Sequence, residues 1–136
     1  MSRVVFDGRV VRFVASRIGG APGECTAVGL ESDEGIVAGV IFERCNGHNV
    51  FFHDAAVDGY SWTNRDFLKA IAYHAFNTMG VPRVTTVVAS SNLPALGWDL
   101  QYGFVEEGRL KGAAHDGSDS VYLVLWKDKC KWLNLK

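Results

Sequence analysis

Residues 50–88 constrain the fold more than any other stretch, because they read as a strand, a helix and a second strand in succession. Val50-Phe51-Phe52-His53-Asp54-Ala55-Ala56-Val57 is apolar on both alternating faces, the pattern of a strand covered on both sides and so central in its sheet. Over residues 63–79, Phe67, Ile71, Ala72, Ala75 and Phe76 fall on one helical face, and Gly80 followed by Pro82 ends the run. Arg83-Val84-Thr85-Thr86-Val87-Val88 is rich in β-branched residues and reads as a strand. That succession predicts a right-handed crossover joining two parallel strands.

The flanking segments supply the rest of the sheet. Asp7 is placed to cap a helix whose apolar stripe is Val10, Val11, Val14 and Ile18, with Gly19-Gly20 as its stop. Arg9, Arg12 and Arg17 lie off that stripe, and Ala21-Pro22-Gly23 is a loop. Strands are expected over 26–31, 36–44 and 49–57, with a turn at Asp33-Glu34-Gly35 and a two-residue hairpin signal at Asn46-Gly47. A shorter helix over 92–102 carries Leu93-Pro94 in its first turn. Strands over 104–111 and 121–126 follow, separated by the Asp116-Gly117 turn. The basic tail 127–136, with Trp132 and Leu133, is expected on the sheet edge. The predicted order is β-α-β-β-β-α-β-α-β-β, an α+β domain with a mostly antiparallel mixed sheet and one central parallel crossover.

Composition narrows the function. A chain of 136 residues is one domain's worth. Its 14 basic and 15 acidic residues leave a formal charge of -1, which argues against a sequence-independent grip on nucleic acid. The odd set Cys25, Cys45 and Cys130 suggests reduced thiols in a cytoplasmic protein. The N-terminus lacks a signal-peptide layout, and no run approaches the ~20 apolar residues of a membrane span. Cys45 and His48 are two metal-capable residues at a turn, but a zinc site wants four ligands and no second pair is evident, so no metal is expected. The N-terminus of the helix near Thr63 suits a phosphate group, a signal that every strand–helix–strand unit shares.

Asn92-Leu93-Pro94-Ala95, followed by Gly103-Phe104-Val105-Glu106-Glu107-Gly108-Arg109-Leu110, resembles the C-terminal signature of the GNAT acetyltransferases. The branch most similar includes the ribosomal-protein N-terminal acetyltransferases, and the texture is similar to small phage and prophage members. The element order matches that family over residues 25–126. The resemblance implies a three-layer α/β/α domain that takes acetyl-CoA as co-substrate, with no metal. The acceptor it implies is a primary amine of a small molecule or a protein, and a homodimer through an exposed edge strand is expected. Acetyl-CoA is expected in a slot between the strand ending at Val57 and the strand beginning at Arg83. Its thioester would be held near Asp54, Ala55, Ala56 and Val57, its pyrophosphate by the loop of Gly59, Trp62, Thr63, Asn64 and Arg65, and its pantetheine near Ser91 and Asn92.

Two departures from the family pattern stand out. Gly59-Tyr60-Ser61-Trp62 lies where a phosphate loop with several small residues belongs, and Trp62 is bulky where close backbone approach is wanted. Arg65 is the substitute phosphate contact. The tyrosine that often protonates the departing thiolate is replaced, four positions before Gly103, by Asp99, while Tyr102 is expected to point elsewhere. Candidates for the general base are His53, Asp54 and Glu43; His53 and Asp54 alternate along one strand and cannot share a site. Two other readings stay open: a binding or interaction module on the same fold, and a phage enzyme that modifies a nucleobase through a patch at Arg9, Arg12 and Arg17.

Overall fold

The computed structural model describes residues 1–20 and 23–134, so Ala21 and Pro22 of the expected loop and the last two residues of the tail lie outside it. The elements are β1 (Arg3–Val5), α1 (Gly8–Ile18), β2 (Cys25–Ser32), β3 (Gly35–Glu43), β4 (Val50–Ala56), α2 (Arg65–Tyr73), β5 (Arg83–Ala89), α3 (Leu93–Tyr102), β6 (Val105–Leu110) and β7 (Ser120–Trp126). The expected element order is the observed one. The strands form one sheet in the order β1-β2-β3-β4-β5-β7-β6, with β4 in its centre. β4 and β5 run parallel and the other neighbouring pairs antiparallel.

Helices cover the two faces differently, giving three layers. α2 and α3 close one face over Val28, Leu30, Val40, Phe42, Phe52, Val84, Val88 and Leu123, packing Phe67, Ile71, Phe76 and Tyr102 into the larger core. α1 lies on the other face, where Val10 and Val14 meet Ala27 and Ile41. It seats closely because the cross-strand partners Gly29 and Gly39 lack side chains. A Cβ on Gly29 would lie 2.4 Å from Val10 Cγ2, and one on Gly39 2.7 Å from Val10 Cγ1. Asp7 caps α1 as expected, accepting from the Arg9 N–H at 2.9 Å.

Four details depart from the sequence reading. Ile18 is exposed in the last turn of α1, where Gly19 turns the chain at φ 79°. Asn46-Gly47 is not a two-residue connection, since β3 ends at Glu43 and β4 begins at Val50. Asn46 Oδ1 instead ties a longer loop by accepting from the N–H groups of His48 and Asn49, each at 2.9 Å. The helix over 63–79 starts at its Asn64 cap and relaxes into a π turn at His74–Thr78. The tail does not lie on the sheet edge: Trp132 donates from Nε1 to the Tyr102 carbonyl at 2.7 Å, with Leu133 also against the helical layer, because those two apolar side chains find their cover there. The sheet edge β6 therefore keeps Val105 and Leu110 exposed.

Candidate functional site

β4 and β5 are paired only at Val50↔Val84 and Phe51↔Thr85. Beyond those residues the ladder stops although both strands continue, β4 to Ala56 and β5 to Ala89. β4 stays bonded to β3 up to Ala38↔Ala56 and β5 to β7 up to Ala89↔Ser120, so each half of the sheet is intact while the halves part. Along the parting, the β5-facing backbone groups of 52–56 have no strand partner, which makes a line of donors and acceptors for an extended ligand. The sheet opens at the carboxyl ends of its two parallel strands, a place where ligands bind in α/β proteins.

Two carboxyl groups lie on the α2–α3 side of the sheet. Asp54 lies opposite Val40 on β3 and therefore points, like Phe52 and Val40, to the α2–α3 face. Asp99 sits on α3 on the same side, fully buried, and neither of its oxygens has a hydrogen-bond partner. Burial raises the Asp54 carboxyl to about 7. Burial first, and then the charge of Asp54, raises Asp99 further, to about 9. A third orphan lies on the loop that follows β4: the Tyr60 hydroxyl is buried without a partner, and burial raises its pKa. Orphaned buried polar groups are costly, and three such oxygens on the α2–α3 side of the sheet are groups for which a ligand could supply partners.

The mouth of the parting is aromatic. Trp62, on the loop into α2, lies 4.2 Å from the Trp98 ring of α3 and stacks on Phe67 at 5.8 Å. A groove of about 310 Å³ runs beside the pair, lined by Trp62, Leu68, Trp98, Gln101, Tyr102 and Trp132 together with Lys131. Gly59 turns the loop at φ 77°, and Val57 is held by its N–H to the Val37 carbonyl at 2.9 Å. Asn64 is occupied as the α2 cap, accepting from the Phe67 N–H at 3.0 Å, while Thr63 is exposed and its hydroxyl turns to the Ser61 carbonyl at 3.5 Å. Arg65 is exposed in the first turn and has no ion pair among the described residues.

The polar side chains of the remaining candidates are turned from the parting or already engaged. His53 and Glu43 point to the α1 face and bond each other, Nε2 to Oε1 at 2.7 Å, so Asp54 is separated from both by the sheet. Ala55 packs on the same face under α1, and the Ala56 carbonyl accepts from Arg17 at 3.2 Å. Ser91 donates to Asp116, and Asn92 caps α3 by accepting from the Ala95 N–H at 3.4 Å, so both polar groups are already engaged. Of the basic patch expected at Arg9, Arg12 and Arg17, Arg9 is ion-paired with Asp7 and Glu31 and Arg17 donates to the Ala56 carbonyl. Among the described residues no group of three or more metal-capable side chains occurs, and no helix is long and apolar enough to cross a membrane.

Sequence reasoning named Asp99 only as a departure, and it passed over Tyr60. A signal was present: Ala95, Asp99 and Tyr102 recur at helical spacing, which puts an acid on the apolar side of α3. Tyr102 donates its hydroxyl to the Leu68 carbonyl at 2.8 Å within the core.

No protein-family model matches the chain, and no curated protein does. Solved structures do match. A spermidine N-acetyltransferase from Vibrio cholerae, in complex with CoA and spermine, superposes with a TM-score of 0.73 at 15% identity, over 98% of each chain. The same organism's enzyme in a dodecameric, intermediate state gives 0.74 at 14% identity, over 98% of this chain and 96% of that one. A chimera of the bacterial spermidine N-acetyltransferase with a human counterpart gives 0.74 at 14%, over 98% and 99%. These likenesses do not bear on a ribosomal-protein branch or a phage source. With its order of elements, its parted parallel strands and these superpositions, the chain has the fold of the GNAT N-acetyltransferases.

Proposed function

We propose that this chain is an acetyl-CoA-dependent N-acetyltransferase acting on a primary amine. The observation that carries the reading is the parting of β4 from β5 after a two-pair ladder, with an orphaned carboxyl on the α2–α3 side of the sheet. The β5-facing backbone of 52–56 suits the amide-rich pantetheine arm, and the α2 N-terminus with Arg65 suits its pyrophosphate. Gly59, Trp62, Thr63 and Asn64 border that phosphate position, and Ser91 and Asn92 the far wall. The chain would orient the amine against the thioester, which supplies much of the rate, and Asp54 would take the amine proton. His53 and Glu43 are the alternative base on the opposite face. Polyamines are the first acceptors to try, since the V. cholerae structure with CoA also holds spermine. A cytoplasmic enzyme that self-associates along the exposed β6 edge completes the reading, and a dodecameric neighbour is consistent with it.

One observation favours a second reading. The Trp62–Trp98 contact fills the place where the co-substrate would pass, as it would in a domain that keeps the fold for binding alone. Calorimetric titration of acetyl-CoA and of CoA, repeated with Arg65→Ala, separates the two. Micromolar binding weakened several-fold by the substitution, together with acetylation of spermine, spermidine or a peptide amine, supports transfer. No binding of either ligand overturns it in favour of the binding module.

A further inference from the structure

We propose that the cavity along the outer side of α2 is a second ligand site, which takes an uncharged aromatic molecule and acts through Trp132 on the mouth of the parted strands. The cavity holds about 400 Å³, and its walls are the rings of Phe6, Tyr73, His74 and Trp132 with the side chains of Ala70 and Leu133. Ligand pockets have this size and this lining, mostly apolar and aromatic with few polar groups. Phe6 is 60% exposed and Tyr73 59%, so an occupant that covers both rings gains apolar burial. The inner wall is built by an irregularity. α2 relaxes into the π turn His74–Thr78, a rare geometry that recurs at functional sites, and both ends of that turn line the cavity.

Charge and hydrogen bonding select the occupant. The charged residues at the cavity are Asp66 and Lys69, one helical turn apart on α2 and opposite in sign, so their fields offset each other. His74 adds no charge, because burial lowers its pKa below the ordinary histidine value and the ring is neutral near pH 7. Its Nε2 is engaged by Thr26 Oγ1 at 2.7 Å, while Nδ1 has no partner among the described residues. An aromatic hydroxyl both donates and accepts, so it meets Nδ1 in either tautomer while the surrounding rings pack on its own.

Trp132 is the wall this cavity shares with the groove beside Trp62 and Trp98. It donates from Nε1 to the Tyr102 carbonyl at 2.7 Å, and its ring stacks on that of Tyr102 at 5.3 Å and 16°. Tyr102 in turn lies 5.3 Å from Trp98, and Trp98 4.2 Å from Trp62. Ring contacts therefore run unbroken from the cavity to the mouth, and an occupant packed on Trp132 holds them as they stand. An acyl donor needs the last two rings apart. The coupling, unlike the site, rests on the acetyltransferase reading: the two ligands favour opposite states of one contact, so each weakens the other by the same factor.

The test is calorimetric titration of 2-naphthol into the wild type, Ala70→Leu and Tyr73→Ala, each first shown to be folded by circular dichroism. The wild type is expected to bind it at one site with a Kd of about 1 mM or below. The charged analogues 2-naphthoate and 2-naphthylmethylammonium are expected to bind about tenfold more weakly or worse. Ala70→Leu, which puts a larger side chain into the cavity, is expected to weaken 2-naphthol at least about tenfold, and Tyr73→Ala about threefold. Saturating 2-naphthol is expected to weaken acetyl-CoA binding about threefold or more in the wild type and to leave it unchanged in Trp62→Ala, where the last ring contact is gone. No binding of 2-naphthol, or equal binding by both cavity variants, overturns the site. A charged analogue that binds as tightly overturns the chemistry assigned to the ligand. Acetyl-CoA binding that ignores 2-naphthol overturns the coupling. A chain that binds 2-naphthol but no acetyl-CoA overturns the acetyltransferase reading and leaves the site standing.

Discussion

The ring of Trp62 lies 4.2 Å from the ring of Trp98, centroid to centroid, and ties the loop after β4 to helix α3 at the mouth of the parted strands. An acyl donor entering there must displace this contact, so its apparent affinity is reduced by the fraction of molecules in which the rings are apart. Trp62→Ala removes that cost. It is expected to tighten acetyl-CoA binding about tenfold while lowering stability by about 2–4 kcal/mol through lost aromatic packing. Calorimetry and urea unfolding read the two effects. Weaker binding in the variant would make Trp62 part of the binding surface instead of an obstacle.

The carboxyl pair makes stability depend on pH in the direction opposite to ordinary surface acids. Both groups titrate near 3.8 when unfolded, and in the folded chain Asp54 is raised to about 7 and Asp99 to about 9. The folded state therefore holds more protons than the unfolded state across that window, and stability falls as pH rises through it. Below the unfolded value the penalty is absent. Asp99→Asn is expected to be more stable than the wild type by about 1–3 kcal/mol at alkaline pH and to flatten the decline. Urea unfolding at about pH 5, 7 and 9 measures this, and equal pH slopes for the two proteins would contradict the raised pKa of Asp99.

The elements that were legible in the sequence are those whose signal is local. Phe67, Ile71 and Phe76 mark α2 by spacing alone, and the two-sided apolar run places β4 in the middle of the sheet. The Asn92 to Gly103-Phe104 pattern likewise pointed to the fold that the superpositions bear out. What escaped is tertiary. Nothing along the chain says that Asp54 and Asp99 share one side of the sheet, or that Trp62 and Trp98 meet, because each pair joins a β4-side residue to α3. Asn92 and Ser91 looked like ligand contacts by position, yet their polar groups are satisfied by the α3 backbone and by Asp116. The hairpin signal at Asn46-Gly47 was overridden by the Asn46 side chain, which closes a wider turn.

The seating of α1 depends on two missing side chains. A Cβ at Gly39 would approach Val10 Cγ1 to 2.7 Å and Val14 Cγ2 to 3.0 Å, and both valines are fully buried, with little room to yield. Gly39→Ala is expected to cost about 1–3 kcal/mol by overpacking, with the strand's own gain from alanine too small to offset it. Chemical denaturation reads the change. A neutral or stabilising result would show that α1 can lift from the β2–β3 hairpin without penalty.

Tyr102 provides the control for which side chain on α3 matters. Its hydroxyl donates to the Leu68 carbonyl at 2.8 Å, and its ring lies 5.3 Å from both Trp98 and Trp132, centroid to centroid, so it ties α3 to α2 and to the C-terminal turn. Tyr102→Phe keeps the ring and removes one hydrogen bond, which is expected to cost about 1 kcal/mol of stability. Because the hydroxyl is committed to the Leu68 carbonyl within the core, acetyl transfer by the variant is expected to stay within about twofold of the wild-type kcat. A hundredfold loss of kcat at unchanged stability would give Tyr102 a part in the transfer and require α3 to rotate in the working enzyme.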